Sequence, residues 1–408
     1  MWESDADLAH DLDEMVAVGA QWVRLDLNWS AIEPTKGTFS WSNTDRVLNA
    51  ATARGFQIVA ILHTAPAWAR AAGTDNQFYP PTDPADFANY AGRTVARYAT
   101  KIKVWEVGNE TNTQRFWQPL PDAAAYTTLL KLTYTAIKQA DPGATVLSAG
   151  LSPAVDAADG STIAPATFLR RIYENGGRGS FDAVAIHPYS FPARPIDPTT
   201  VNWNTFHRMP LLYDVMLRNG DGDKKLWITE FGAITGTASG AVSETEHAAI
   251  ITDAFRAVAQ FPFVGGPMFV YAIRDAGTDP ASVEDNFGMV RYDFSPKAAR
   301  AAYQRAAAIC ASTQPASLGI SDATVAEGDT GTTSATFTVT RAGDTSGTSS
   351  VQYATVDGTA TAGADYVAVG PTTVAFAAGE TTKTVTVSVK VDADVEPDET
   401  FSVRLSSP

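Results

Sequence analysis

Cysteine is nearly absent: Cys310 stands alone in 408 residues. One thiol cannot form an internal disulfide, which excludes a disulfide-stapled scaffold and a cysteine-based zinc ribbon. Basic residues are scarce, 30 Lys and Arg against 45 Asp and Glu, for a formal net charge of −15. That balance argues against broad phosphate binding, so no nucleic-acid partner is expected. No apolar run approaches the ~20 residues of a membrane span, and membrane insertion is not expected. The stretch Met1-Trp2-Glu3-Ser4-Asp5 has neither the basic nor the apolar segment of a signal peptide. No G-x-G-x-x-G turn follows the early strand candidates, which weakens a dinucleotide-binding sheet. What is present is apolar material: 45% hydrophobic and 18% charged residues. This suffices for packed cores in two to four domains of ~100–200 residues each.

Composition changes along the chain. All nine tryptophans and all five histidines precede Pro315, after which Thr, Val, Gly and Asp dominate and twelve acids face four bases. The expected division is residues 1–310, a polar linker at 311–317 and a second domain at 318–408. In the first domain, short β-branched runs alternate with longer Ala-rich helical stretches. Strands are expected at 21–27, 56–62, 102–107, 144–149, 181–186, 226–229 and 267–271. Asp83-Pro84 and the Ser243/Glu246 spacing mark helix starts. Strand–helix alternation fits an open doubly wound sheet or a closed (β/α)8 TIM barrel. Polar residues at the carboxyl ends of many different strands favour the α/β barrel. Only seven strands are counted, so the first barrel strand is expected to be missing, as in a piece of a longer, exported protein. The second domain alternates in period two between Gly/Asp turns, the pattern of an antiparallel β-sandwich.

Two strand-end segments carry the chemistry, Val104-Trp105-Glu106-Val107-Gly108-Asn109-Glu110 and Leu226-Trp227-Ile228-Thr229-Glu230-Phe231-Gly232. Two glutamates facing one barrel mouth suit glycosidic cleavage, where one protonates the departing oxygen and the other attacks or activates water. Glu106 lies four residues before Glu110, on the same strand face, and is read as a buried layer residue. Asp26, His63, His187 and Glu230 lack the local spacing of a metal motif. Trp68, Phe78, Tyr79, Trp117 and Trp203 fall in loops, where aromatic faces can stack on sugar rings. His10, His207 and His247 fall on helical stretches and are given no role. Arg274-Asp275 is read as an ion pair closing the barrel, with a sugar-contacting pair as the alternative, and Cys310 as buried and inert.

At these residues the chain resembles the clan A glycoside hydrolases, and most of all family 39 and related bacterial cellulase-family barrels. The supporting motifs are Trp22-Val23-Arg24-Leu25-Asp26-Leu27-Asn28-Trp29, Ala65-Pro66-Ala67-Trp68-Ala69, Phe116-Trp117-Gln118-Pro119 and Ile186-His187-Pro188-Tyr189. The resemblance implies a retaining β-glycosidase needing no cofactor, with Glu110 as acid/base and Glu230 as nucleophile. It further implies that Asn109 contacts the sugar 2-hydroxyl and that Arg24 keeps Glu230 ionised. His187, Tyr189, His63, Trp68, Trp117 and Tyr271 would line the substrate site. Thr111 replaces the usual proline after Asn-Glu, and Tyr271 or Phe269 stands where the eighth strand usually offers tryptophan. Residues 318–408 resemble a Calx-beta domain through Val325-Ala326-Glu327-Gly328, Gly363-Ala364-Asp365-Tyr366 and Val391-Asp392-Ala393-Asp394-Val395-Glu396-Pro397-Asp398-Glu399. That family implies possible calcium at Glu327, Asp365, Asp392 and Glu396, with the set expected to be incomplete because the last strand is truncated. The partner expected is a carbohydrate, the state monomeric and the location extracellular. An exo-acting β-xylosidase and a non-catalytic carbohydrate-binding or adhesin-like protein remain as alternatives.

Overall fold

The computed structural model describes residues 4–313, 317–326, 331–343, 345, 347–390 and 397–406. The chain divides into two compact units, Met1–Ala306 and Ala307–Pro408.

In the first unit β1 (Trp22–Asn28), β2 (Gln57–His63), β3 (Val104–Val107) and β4 (Thr145–Leu147) form a parallel sheet in chain order. β5 (Val184–Ile186) pairs in parallel with β6 (Leu226–Ile228). Bridges from Leu147 to Ala183 and from Leu151 to Ile186 carry the ring from β4 to β5. The strand expected at 267–271 lies beside β6 but only as isolated bridging. Phe269 N donates to Ile228 O at 3.0 Å, and Tyr271 N to Phe231 O at 2.8 Å. Pro267 has no N–H to give, and Gly266 at φ +69° interrupts the extended run. Among the described residues β1 pairs with β2 alone, so the ring has seven positions and a seam between β1 and the 267–271 segment. This is the parallel α/β architecture of a TIM barrel.

The register explains which side chains meet at the mouth. Alternate strand residues share a face, so Trp22, Arg24 and Asp26 rise in steps along one side of β1. Trp22 and Trp227, with Val59, Val104, Leu147, Ala183, Ala185 and Phe269, pack as one apolar cluster. Two residues beyond Trp22, Val104 and Trp227 stand Arg24, Glu106 and Thr229, the polar layer above that apolar floor. A second, larger core lies between the strands and their helices and includes Leu27, Trp29, Tyr90, Trp105, Tyr126 and Phe168. The helix starts follow the expected caps: Asp83 accepts from Ala85 N before Pro84–Tyr98, and Ser243 accepts from Glu246 N before Glu244–Val258. No helix among the described residues is long and apolar enough to cross a membrane.

The second unit contains β7 (Ser317–Ile320), β8 (Thr332–Ala342), β9 (Ser349–Val356), β10 (Thr372–Phe376), β11 (Thr382–Lys390) and β12 (Ser402–Ser406). They form two antiparallel sheets, β10-β9-β12 and β11-β8-β7. Phe337, Val339, Val351, Phe376 and Val387 fill the core, and Tyr366 stacks on Phe401 at 4.4 Å. β7 is too short for periodicity to reveal. It is held by its register against β8, with Ser317 opposite Ala342.

Candidate active site

Arg24 organises the mouth of the barrel. Its Nε and Nη2 donate to the two oxygens of Glu106 at 2.8 and 3.1 Å, a bidentate pairing. Nη1 donates to Glu230 Oε1 at 2.5 Å and Nη2 also to Asn109 Oδ1 at 2.8 Å. Burial alone would favour the neutral form of Arg24, but the charges of Glu106 and Glu230 outweigh it and raise its pKa. Glu106 is fully buried. It accepts further hydrogen bonds from Gly150 N at 2.8 Å and Thr229 Oγ1 at 3.2 Å. The expected layer residue is thus also the anchor of the site's one arginine-centred network. Parity along β3 places Glu106 on the same face as Val104, toward the inside of the ring.

Glu110 follows β3 with φ +46°, and Gly108 before it has φ +91°. A left-handed conformation at a non-glycine residue costs on the order of 1–3 kcal/mol and persists where neighbours fix it. Here Glu110 N donates to Gly150 O at 2.9 Å, and buried Asn112 ties the following turn to Ser152 and Ile163. His187 Nδ1 lies 3.0 Å from Glu110 Oε1 and 3.5 Å from Glu230 Oε2, while Nε2 lies 3.1 Å from Thr229 Oγ1. Glu106, Thr229, His187 and Glu110 therefore form one hydrogen-bonded line beneath the mouth. One oxygen of each of Glu110 and Glu230 and a His187 nitrogen lie within 4.8 Å of one another. Tyr189 Oη donates to Glu230 Oε2 at 2.9 Å.

Burial would push the Glu230 carboxyl up. The positive character of His187 and Arg24, with hydrogen bonds from Tyr189 and Arg24, holds it below its ordinary value instead. Burial, Glu230 and Glu110 drive the Tyr189 phenol well up, so it stays a neutral donor. Glu110, His187 and Glu230 are also the one cluster of metal-ligating type among the described residues. Arg24 already bonds the Oε1 of Glu230, while His187 and Tyr189 face its Oε2.

The structure brings together Arg24, Asn109, Glu110, His187, Tyr189 and Glu230 and sorts the other candidates. His63 has its Nε2 3.5 Å from Asp26 and lines a small pocket with Gln77, Phe78, Asn109, Phe116 and Trp117. Tyr271 is 37% exposed, its ring 5.1 Å from that of Phe287. Two of the loop tryptophans have partners within the barrel. Trp68 donates to Glu33 O at 2.9 Å and packs edge-on against Trp29. Trp117 is 6% exposed and packs edge-on against Tyr126. Arg274 and Asp275 do not pair with each other: Arg274 binds Asp11 at 2.8 Å, and Asp275 binds buried Lys297 at 2.7 Å. Of the calcium candidates, Glu327, Asp392 and Glu396 lie outside the described residues, as does the side chain of Cys310. Asp365 Oδ2 accepts from Thr361 N and Oγ1 at 2.6 and 3.1 Å, closing a local turn.

With this geometry in place, comparison with known proteins is informative. The model of the Calx-beta domain matches residues 312–408, and that of glycosyl hydrolase family 10 matches residues 24–147. The second match covers β1 to β4, with Arg24, Glu106, Asn109 and Glu110. The chain is thus similar, in two separate stretches that each cover less than half of it, to a clan A glycoside hydrolase barrel and to a Calx-beta domain. The chain is 31% identical over 88 residues to endo-1,4-beta-xylanase A of Fusarium oxysporum f. sp. lycopersici, covering 21% of this chain and 26% of that protein. The chain thus spans about a quarter of that curated relative's length. A family 39 glycoside hydrolase from Bacteroides cellulosilyticus WH2 superposes with TM-score 0.61 at 20% identity, over 95% of this chain and 79% of that one. A monomeric beta-xylosidase from Caulobacter crescentus CB15 gives 0.59 at 15%, over 96% and 93%. At these identities the structural likeness establishes the barrel fold.

Proposed function

We propose that the barrel is a retaining β-glycosidase acting on β-1,4-linked xylan-type chains. Glu230 attacks the anomeric carbon while Glu110 protonates the departing glycosidic oxygen. Glu110 then takes a proton from water, which cleaves the Glu230 glycosyl ester and returns both carboxyls to their starting states. The carrying observation is the convergence of both carboxylates on His187, with oxygens within 4.8 Å. Retaining enzymes hold their carboxyls about 5–5.5 Å apart, and inverting ones about 6.5–9.5 Å to admit a water. The lowered pKa of Glu230 keeps the nucleophile ionised, and Asn109, fixed by Arg24, is placed to bind a 2-hydroxyl. The xylanase and xylosidase names among the similar proteins support the choice of sugar. A polymeric substrate of this kind puts the enzyme outside the cell.

Turnover of p-nitrophenyl β-xyloside and of a polysaccharide panel by the unaltered chain, Glu230→Gln and Glu110→Gln tests the assignment. Both variants are expected to lose at least a hundredfold in kcat. Full turnover by Glu230→Gln refutes it, and no turnover of any glycan by the unaltered chain favours a non-catalytic carbohydrate binder.

A further inference from the structure

Two loops from opposite sides of the barrel are joined above this site. Around the ring, β3 and the 267–271 segment are separated by β4, β5 and β6, so the loops that follow them face each other across the mouth. Arg115, in the loop after β3, places Nη2 2.9 Å from Glu284 Oε1, in the loop after the 267–271 segment. A contact between these two loops crosses the opening. Tyr271, on the strand-end side of that opening, feels the charges of Glu284, Glu230, Asp26 and Arg115 together, so the ion pair and the nucleophile flank one exposed ring.

Both loops are fastened from below. On one side Asn112 is fully buried and bonded to Ser152 and Ile163, and Gln114 N donates to Ser161 O at 2.8 Å. On the other, Asn286 Nδ2 donates to Asp279 O and Ser282 O, and Thr235 N donates to Asn286 O at 3.1 Å. Opening the mouth therefore asks for rotation of two side chains and no loop movement. The two side chains are 64% and 46% exposed, and such a pair is weak enough to break and re-form readily. In the paired state the Arg115 guanidinium also lies 5.2 Å over the Phe116 ring.

We propose that the Arg115–Glu284 pair is a removable bar across the substrate mouth that selects chain ends over chain interiors. Closed, the bar admits a terminal sugar beneath it and obstructs a polymer crossing the mouth; parted, it leaves an open cleft. This rests on the glycosidase reading and names which part of a xylan-type chain the site accepts.

The test uses the full chain, p-nitrophenyl β-xyloside as a terminal probe, and reducing-end-labelled xylohexaose with product sizing as an internal one. Arg115→Ala and Glu284→Ala are expected to raise the ratio of internal to terminal cleavage about two- to fivefold, the range open to an exposed ion pair. The charge-reversed double variant Arg115→Glu/Glu284→Arg is expected to restore the original ratio. Salt at 1 M should raise the ratio in the unaltered chain and leave both single variants where they are. An unchanged ratio in both single variants, with terminal cleavage intact, overturns the bar and spares the glycosidase. Absence of all turnover by the unaltered chain overturns both.

Discussion

Replacing Arg24 by methionine removes four hydrogen bonds at once, two to Glu106 and one each to Glu230 and Asn109. Glu106 has no exposed surface, and it would keep only Gly150 N and Thr229 Oγ1 as donors. A buried carboxylate stripped of its cation costs about 3–5 kcal/mol. Glu230 suffers less, because its side chain is 16% exposed and Tyr189 still donates to it. Urea unfolding followed by tryptophan fluorescence reads this loss in the barrel alone, since all nine tryptophans precede Pro315. The double variant Arg24→Met/Glu106→Leu removes the stranded charge as well and should recover about 1–4 kcal/mol. In surviving enzyme, Glu230 loses one of the groups that depress it, so the acid limb of kcat/KM moves to higher pH. Stability of Arg24→Met within 1 kcal/mol of the unaltered chain, or no recovery in the double variant, would refute the network as the organiser of the site.

Further outcomes follow from single contacts. Tyr189→Phe deletes the 2.9 Å donation to Glu230; a hydrogen bond to a charge is worth about 1.5 kcal/mol, so the acid limb of kcat/KM should rise by about one pH unit. An unmoved limb contradicts the role. Gly150→Ala places a Cβ 2.1 Å from His187 Nε2 and 2.7 Å from Glu106 Oε1; displacement of the imidazole should lower kcat at least tenfold, and a change within twofold would show that His187 does not position Glu110. His247 is fully buried with neither ring nitrogen hydrogen-bonded, and burial lowers its pKa to about 4. The unfolded chain binds that proton below about pH 6.5 while the folded one does not, so about 3 kcal/mol of barrel stability is lost as pH falls from 6.5 to 4. His247→Leu should flatten that part of the urea-midpoint profile, whereas parallel profiles would contradict the assignment.

Strand ends proved more readable than strand neighbourhoods. Glu110 and Glu230 announce themselves by position, each closing a β-rich run, and parity places Arg24 and Glu106 on inward faces. The bonds that make these residues a network join positions 82 and 206 apart in sequence, which no local pattern encodes. For that reason Glu106 reads as a core residue until the arginine is seen against it. The partners of the loop aromatics are hidden in the same way: Trp68 and Trp117 pack edge-on against Trp29 and Tyr126, which tertiary folding brings to them. Arg274 and Asp275, adjacent in sequence, take separate partners, Asp11 and Lys297, which lie far away along the chain.

The identity of the nucleophile decides between Glu230 and its neighbours. Incubation of the full chain with an activated 2-deoxy-2-fluoro-β-xyloside, then proteolysis and mass spectrometry, traps whichever carboxylate attacks the sugar. One fluoroglycosyl ester is expected, on the peptide carrying Glu230, with loss of activity in step with labelling. An ester on Glu110 or Glu106, or steady turnover of xylosides with no ester formed, would contradict Glu230 as the nucleophile.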